Sequence, residues 1–185
     1  MTPMLGILAS QITGHLSTNS YESIATVTVG SGGQSSITFT SIPSTFKHLQ
    51  IRGLLRTNRG LAYDSFNLTA NGGTSYSCHV LEGDGGSASA SGAGSQTSIN
   101  YNGIAGNGGT ASSFAGIVLD VLDYSNTTTN KTFRYLHGYD LNGSGKVSFA
   151  SGAALSTSAI SSLTFVPQNS SLFVQYSSFA LYGIK

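Results

Sequence analysis

Charge is what this chain has least of. Asp, Glu, Lys and Arg make up 8% of its 185 residues, against roughly a quarter in an ordinary globular domain. The net charge is +1, and the tightest basic group is Arg52, Arg56 and Arg59. That is too little to build the electrostatic footprint of a nucleic-acid binder. The solvent face must instead be made mainly of Ser, Thr, Asn and Gly. A single cysteine, Cys78, excludes an intramolecular disulfide framework and reads as a buried small hydrophobe. Tryptophan is absent, which weighs against a lectin. No apolar run approaches the roughly 20 residues a membrane helix needs. The opening "MTPMLGILASQITGHL" lacks the basic flank of a signal peptide. The expectation is a soluble protein, not exported by that route, with neither nucleic acid nor membrane as partner.

What is present is core-forming material: 39% hydrophobic residues, with nine Phe and nine Tyr. A chain of this length is most simply one domain, burying roughly 70% of its unfolded surface. Helical periodicity is nearly absent after residue 20. Short β-branched or aromatic runs alternate instead with Gly, Asn and Ser clusters. "ESIATVTVG" sets Ile24, Thr26 and Thr28 on one face against Ala25, Val27 and Val29 on the other. In "SSITFTSI", Ile37 and Phe39 share a face and Pro43 closes the run. Further runs such as "FKHLQIRGLL", "SYSCHVLE", "KTFRYLHGYD" and "ISSLTFVP" bring the count to roughly ten strands. The prediction over residues 21–185 is an all-β fold, a jelly-roll-like two-sheet β-sandwich. "FAGIVLDVLDY" is apolar nearly throughout, as in a strand covered on both faces. Residues 83–96, "GDGGSASASGAGSQ", read as an exposed, mobile loop.

Residues 1–20 differ from the rest and form a separate N-terminal arm. Leu5, Leu8, Ile12 and Leu16 fall at helix-compatible spacing, although Gly6 and Gly14 weaken a helix. Two readings stand. The segment packs on its own sandwich, or it docks on a partner with Leu5, Ile7, Leu8 and Ile12 as anchors.

The run richest in chemistry is "YDLNGSGKVSF", residues 139–149. A phosphate-binding loop requires G-x-x-x-x-G-K-[ST], because its glycines free backbone amides for phosphate and its hydroxyl holds magnesium. Asp140 stands at the first glycine position and Val147 at the hydroxyl position. A calcium loop would use Asp140, Asn142 and Ser144, but position 12 is Ser151, which supplies no bidentate carboxylate. A hairpin needs only that Asn142-Gly143 take positive φ between two strands, with Lys146 as a solvated strand residue. "GDGGSA" matches a dinucleotide fingerprint loosely, but no helical pattern follows to hold a pyrophosphate.

Nucleophilic catalysis finds no G-x-S-x-G motif, and adjacent Cys78 and His79 point to opposite faces of a strand. His15, His48, His79 and His137 lack metal-ligand spacing and read as isolated, partly buried or surface residues. Asp120 and Asp123 are three apart on one presumed strand and so face opposite ways, unlike a glycosidase pair, which leaves only carboxylates brought together from separate strands. Tyr63, Tyr76, Tyr101, Tyr124, Tyr135 and Tyr139 supply either a sugar-stacking face or core filling. The reading names no catalytic residue, no metal ligand and no cofactor, and it is of a protein that is not an enzyme.

Four stretches carry a resemblance: "SYESIATVTVGSGG", "ITFTSIPSTFKHLQIRG", "VLDVLDY" and the terminal "YSSFALYGIK". Together they resemble a family of small tailed-bacteriophage virion proteins over nearly the whole chain. The resemblance implies a virion structural protein, a jelly-roll-like sandwich acting as a homotrimer, and no residue-level active site. Two roles stay open within it. A capsid decoration (cement) protein would bind the phage major capsid protein on the outer surface of the capsid. A tail fibre or tail-tip protein would present loops to a host surface glycan. The short chain, without coiled-coil heptads or repeats, favours decoration.

Overall fold

A computed structural model describes residues 20–185 and shows an all-β protein with twelve strands among the described residues. They are β1 (Tyr21–Thr28), β2 (Ile37–Phe39), β3 (His48–Leu55), β4 (Tyr63–Ala70), β5 (Tyr76–Gly83) and β6 (Ala88–Gln96), followed by β7 (Ile99–Ala105), β8 (Ala115–Leu122), β9 (Lys131–Asp140), β10 (Gly145–Ala154), β11 (Leu163–Pro167) and β12 (Ser178–Ile184). Eight of them form one sheet in the order β1-β12-β3-β8-β9-β10-β5-β6, and four form a second in the order β2-β11-β4-β7. All ladders between named strands are antiparallel, and the two sheets pack as a jelly-roll-like sandwich.

Period-two alternation decides which side chains enter the core. Along β8, Ala115, Ile117, Leu119 and Val121 are buried while Gly116 and Val118 are exposed. Ile37 and Phe39 share the inner face of β2, as their spacing predicts. Aromatic rings tie the sheets together. Phe165 of β11 lies 5.0 Å from Phe179 of β12, and Tyr101 of β7 meets Tyr135 of β9 edge-on at 3.8 Å. Each fully buried large side chain of this kind stabilises the fold by about 1.5–3 kcal/mol. Cys78 is buried and His79 exposed, so adjacent residues do take opposite faces.

The hairpin at Asn142-Gly143 is present. Asn142 (φ 57°) and Gly143 (φ 120°) both lie at positive φ between β9 and β10, and the Leu141 amide donates to the Ser144 carbonyl at 2.8 Å. Asp140 Oδ1 accepts from the Asn142 amide at 2.8 Å, so this carboxylate caps the turn.

Three local expectations need correction. Residues 83–96 are not a loop: β6 occupies most of them as an edge strand on β5. Its Ser, Ala and Gly residues carry no strand signal of their own, and cross-strand pairing supplies what propensity does not. The alternation of β1 breaks at Ile24, where a register shift between Ser23 and Ala25 lets both Ile24 and Ala25 pack against the core. The third correction concerns β8, whose outer face is open: Val118 is 39% exposed.

Candidate functional site

The outer face of the eight-stranded sheet is where apolar side chains meet solvent. The ladders place Leu81 opposite Phe149, Phe149 opposite Leu136, and Leu136 opposite Val118. This makes one apolar row across β5, β10, β9 and β8, bounded by Ala90 of β6 on one side and by Arg52 of β3 on the other. In the adjacent row, Val147, Gly138, Gly116 and Leu54 follow one another across β10, β9, β8 and β3. Leu81, Phe149, Leu136, Val147 and Leu54 are each more than half exposed. The two glycines leave a shallow groove of about 560 Å³ between Leu54 and Val147, walled also by Val118, Leu136 and Ala180. A methyl group added at Gly116 would meet no atom within 4 Å.

The next row along the same strands is polar, and its charges are already partnered. Asp120 accepts from Gln50 Nε2 and from Arg134, each at 2.8 Å. Arg52 donates to Gln50 Oε1 at 2.7 Å, and its guanidinium lies over the rings of Tyr21 and Tyr182. The face thus joins an apolar field to a polar border. Contiguous exposed apolar surface of several hundred Å² marks an interaction site on a folded protein.

A second cluster lies on the inner face of the same strands. His137 of β9, Ser148 of β10 and Glu82 of β5 are direct neighbours across the ladders, where Cβ atoms sit about 4.5–5.5 Å apart. His137 and Ser148 are fully buried. Among the described residues neither ring nitrogen of His137 makes a hydrogen bond of good geometry, the backbone of Gly103 being its nearest polar neighbour, and Ser148 Oγ, Glu82 Oε2 and the hydroxyls of Tyr101 and Tyr135 have no partner. Glu82 Oε1 pairs with Lys146 Nζ at 3.0 Å, and Lys146 also lies 5.9 Å from the Tyr63 ring centroid. Gly103 of β7 covers the cluster. It is the extra residue of a bulge opposite β4, at φ 97°, and a Cβ there would sit 3.1 Å from His137 and 3.2 Å from Lys146. Burial pushes the phenols of Tyr101 and Tyr135 upward, and desolvation likewise brings the His137 imidazole down to about 4.

The order of this row decides its chemistry. A Ser-His-acid triad needs the imidazole between hydroxyl and carboxylate. Here Ser148 stands in the middle and the carboxylate is held by Lys146, so the row does not have the order of such a triad.

Of the six tyrosines considered as a sugar-stacking face, Tyr76, Tyr101, Tyr124 and Tyr135 are buried, so core filling is their role. Tyr63 remains about half exposed and Tyr139 is half-buried. Lys146 is not a freely solvated strand residue: it lies on the inner side of β10, ion-paired to Glu82, because its position two before Ser148 gives both side chains the same face. His137 is not partly buried but wholly enclosed. The three arginines do not form a cluster. Arg56 is buried and donates to the Thr110 and Ser113 carbonyls at 2.6 and 2.7 Å, while Arg59 pairs with buried Asp64 at 3.2 Å. Leu5, Ile7, Leu8 and Ile12 lie outside the described residues. The inner polar row was missed because its members are 55 and 11 positions apart in sequence, and only strand pairing brings Glu82, His137 and Ser148 together.

No family model matches the chain, and no curated protein matches it. Among solved structures it is similar to the marine PL-14 alginate lyase from Aplysia kurodai, at 10% identity and a TM-score of 0.34, over 96% of this chain and 94% of that chain. A likeness that slight carries no argument about activity.

Proposed function

We propose that this chain is a bacteriophage virion structural protein, a capsid decoration (cement) protein that stabilises the shell as a homotrimer and is not an enzyme. One observation carries the reading: the outer face of the large sheet is apolar on strands whose inner face already forms the core. The occupant of that face is a neighbouring copy of the chain. In its polar border Asp120 is paired with Arg134, and Arg52 is held by the neutral Gln50 and over two tyrosine rings, so the border presents one uncompensated charge to an approaching copy. The six strands from β3 to β6 span about 24 Å, and at about 26 Å of strand length the whole outer face, its apolar and polar halves together, covers on the order of 600 Å². That approaches the roughly 800 Å² per partner of a standard stable interface. The resemblance of the four stretches quoted above to small phage virion proteins supplies the setting.

In this proposal the anchors on the phage major capsid protein are Leu5, Ile7, Leu8 and Ile12, and the place of action is the outer surface of the capsid. The test is co-sedimentation with capsids that lack the protein. Full-length protein should pellet with them, and the quadruple replacement of those four residues by Ser should remain in the supernatant with an unchanged melting curve. Equal pelleting of both contradicts the docking role, and labelling confined to the tail tip contradicts decoration.

A further inference from the structure

Assembly through the outer face makes no use of the inner polar row. His137 is 2% exposed, and it is enclosed from every side. On its own strand Tyr135 stacks on it at 5.1 Å and Tyr139 follows. From β10 come Ser148 and Lys146, and from β5 comes Glu82, already paired with Lys146. Ile117 of β8 is its apolar ladder partner. From β7 comes the backbone of Gly103, while Tyr101 of β7 meets Tyr135 and Tyr63 of β4 lies beside Lys146. A neutral imidazole fits this enclosure. A protonated one needs two acceptors. The backbone of Gly103 offers one acceptor and the ladder neighbour a serine hydroxyl, but the carboxylate beyond is held by Lys146, and the Lys146 ammonium repels a second cation.

We propose that His137 makes the β7 edge of the sandwich an acid-released joint, closed over the neutral ring and freed from the large sheet when the ring takes up a proton. β7 is the element that gives way because it is an edge strand of the small sheet, laddered on one side to β4, interrupted by the Gly103 bulge and held on its other side only at Ala105, which bridges Arg56 and accepts from the Thr57 amide. Strands held by fewer ladder bonds open at lower cost than central ones.

The direction of the pH effect follows from linkage. Burial is the largest influence and holds the imidazole pKa at about 4, with Lys146 acting the same way and the Gly103 backbone and Glu82 pushing back. In the opened chain the ring titrates near 6.5. The open form therefore gains a proton first, and closure is fully stable above about pH 6.5, weakens as pH falls towards 4, and weakens no further below that through this group.

The experiment is amide hydrogen exchange, expressed as protection relative to the intrinsic rate at each pH. Between pH 7 and 4.5, protection in β7 should fall by about 50- to 100-fold, while β11 at the centre of the small sheet keeps its protection. His137→Phe, which can stack on Tyr135 but cannot titrate, should lose that fall. An equal fall across both sheets, or an undiminished fall in His137→Phe, overturns the proposal. NMR titration of the His137 ring in the unaltered protein gives an answer that depends on no variant: a midpoint well below 5 is expected, and one near 6.5 overturns it.

Discussion

The two faces of the eight-stranded sheet are built from the same strands and have opposite fates. Inward, Ile117, Leu119, Phe133, Tyr135 and Ala150 are sealed under the second sheet. Outward, Val118, Leu136, Val147 and Phe149 alternate with them one residue apart and meet solvent. A sheet that faces water on one side ordinarily alternates apolar with polar residues. Here β8, β9 and β10 are apolar on the outside over about half their length and polar on the outside over the rest, where Asp120, Arg134 and Gln50 hold one another. The difference teaches that the apolar outer rows are not needed to close the sandwich among the described residues, and in the proposed reading they are the surface that meets a neighbouring copy.

If this division is right, substitutions on the two faces should separate stability from assembly. The largest loss of stability should come from Phe165→Ala, which removes a fully buried ring between Phe39, Phe66 and Phe179. It should cost about 3–5 kcal/mol in denaturant unfolding. Lys131→Met should follow at about 2–3 kcal/mol. Its ammonium is buried at the opposite end of β9 from His137 and donates to the carbonyls of Asn126, Thr129 and Thr157. That end holds a buried cation with its donors matched, whereas the His137 end holds polar groups without partners. Gly103→Ala should cost about 1–3 kcal/mol, because φ 97° is strained for any side chain and the added methyl crowds His137 and Lys146.

Outer-face changes should sit at the other extreme. Phe149→Ser and Gly116→Val should each shift unfolding by no more than about 0.5 kcal/mol, since Phe149 is half exposed and the space above Gly116 is open. Both should nonetheless alter self-association, read by light scattering. A loss of stability from Phe149→Ser as large as that from Phe165→Ala would erase the distinction between the faces.

Much of the fold was legible in the sequence because strand alternation is local. Ile37 with Phe39, Cys78 against His79, and Asn142-Gly143 at a hairpin each follow from residues within two positions of one another. β6 was not legible, since a run of Ser, Ala and Gly takes strand form from the neighbour it pairs with. The break in β1 at Ile24 likewise comes from the register with β12 and not from the composition of β1. The site divided the same way. "FAGIVLDVLDY" announced a strand apolar on both faces, and this was the trace of the open outer face, although it was read as cover from within the fold. Glu82, His137 and Ser148 left no such trace, because long-range ladders assemble them.

The most direct test of the central claim is sedimentation velocity on the wild-type chain and on Leu136→Ser/Phe149→Ser, compared at micromolar concentration with circular dichroism and melting of each. The account predicts that the wild type sediments as a trimer with a concentration-dependent melting temperature, and the double variant as a folded monomer of unchanged β-sheet signature whose melting temperature is lower and independent of concentration. A wild type that is monomeric, or a double variant that is still trimeric, would contradict it.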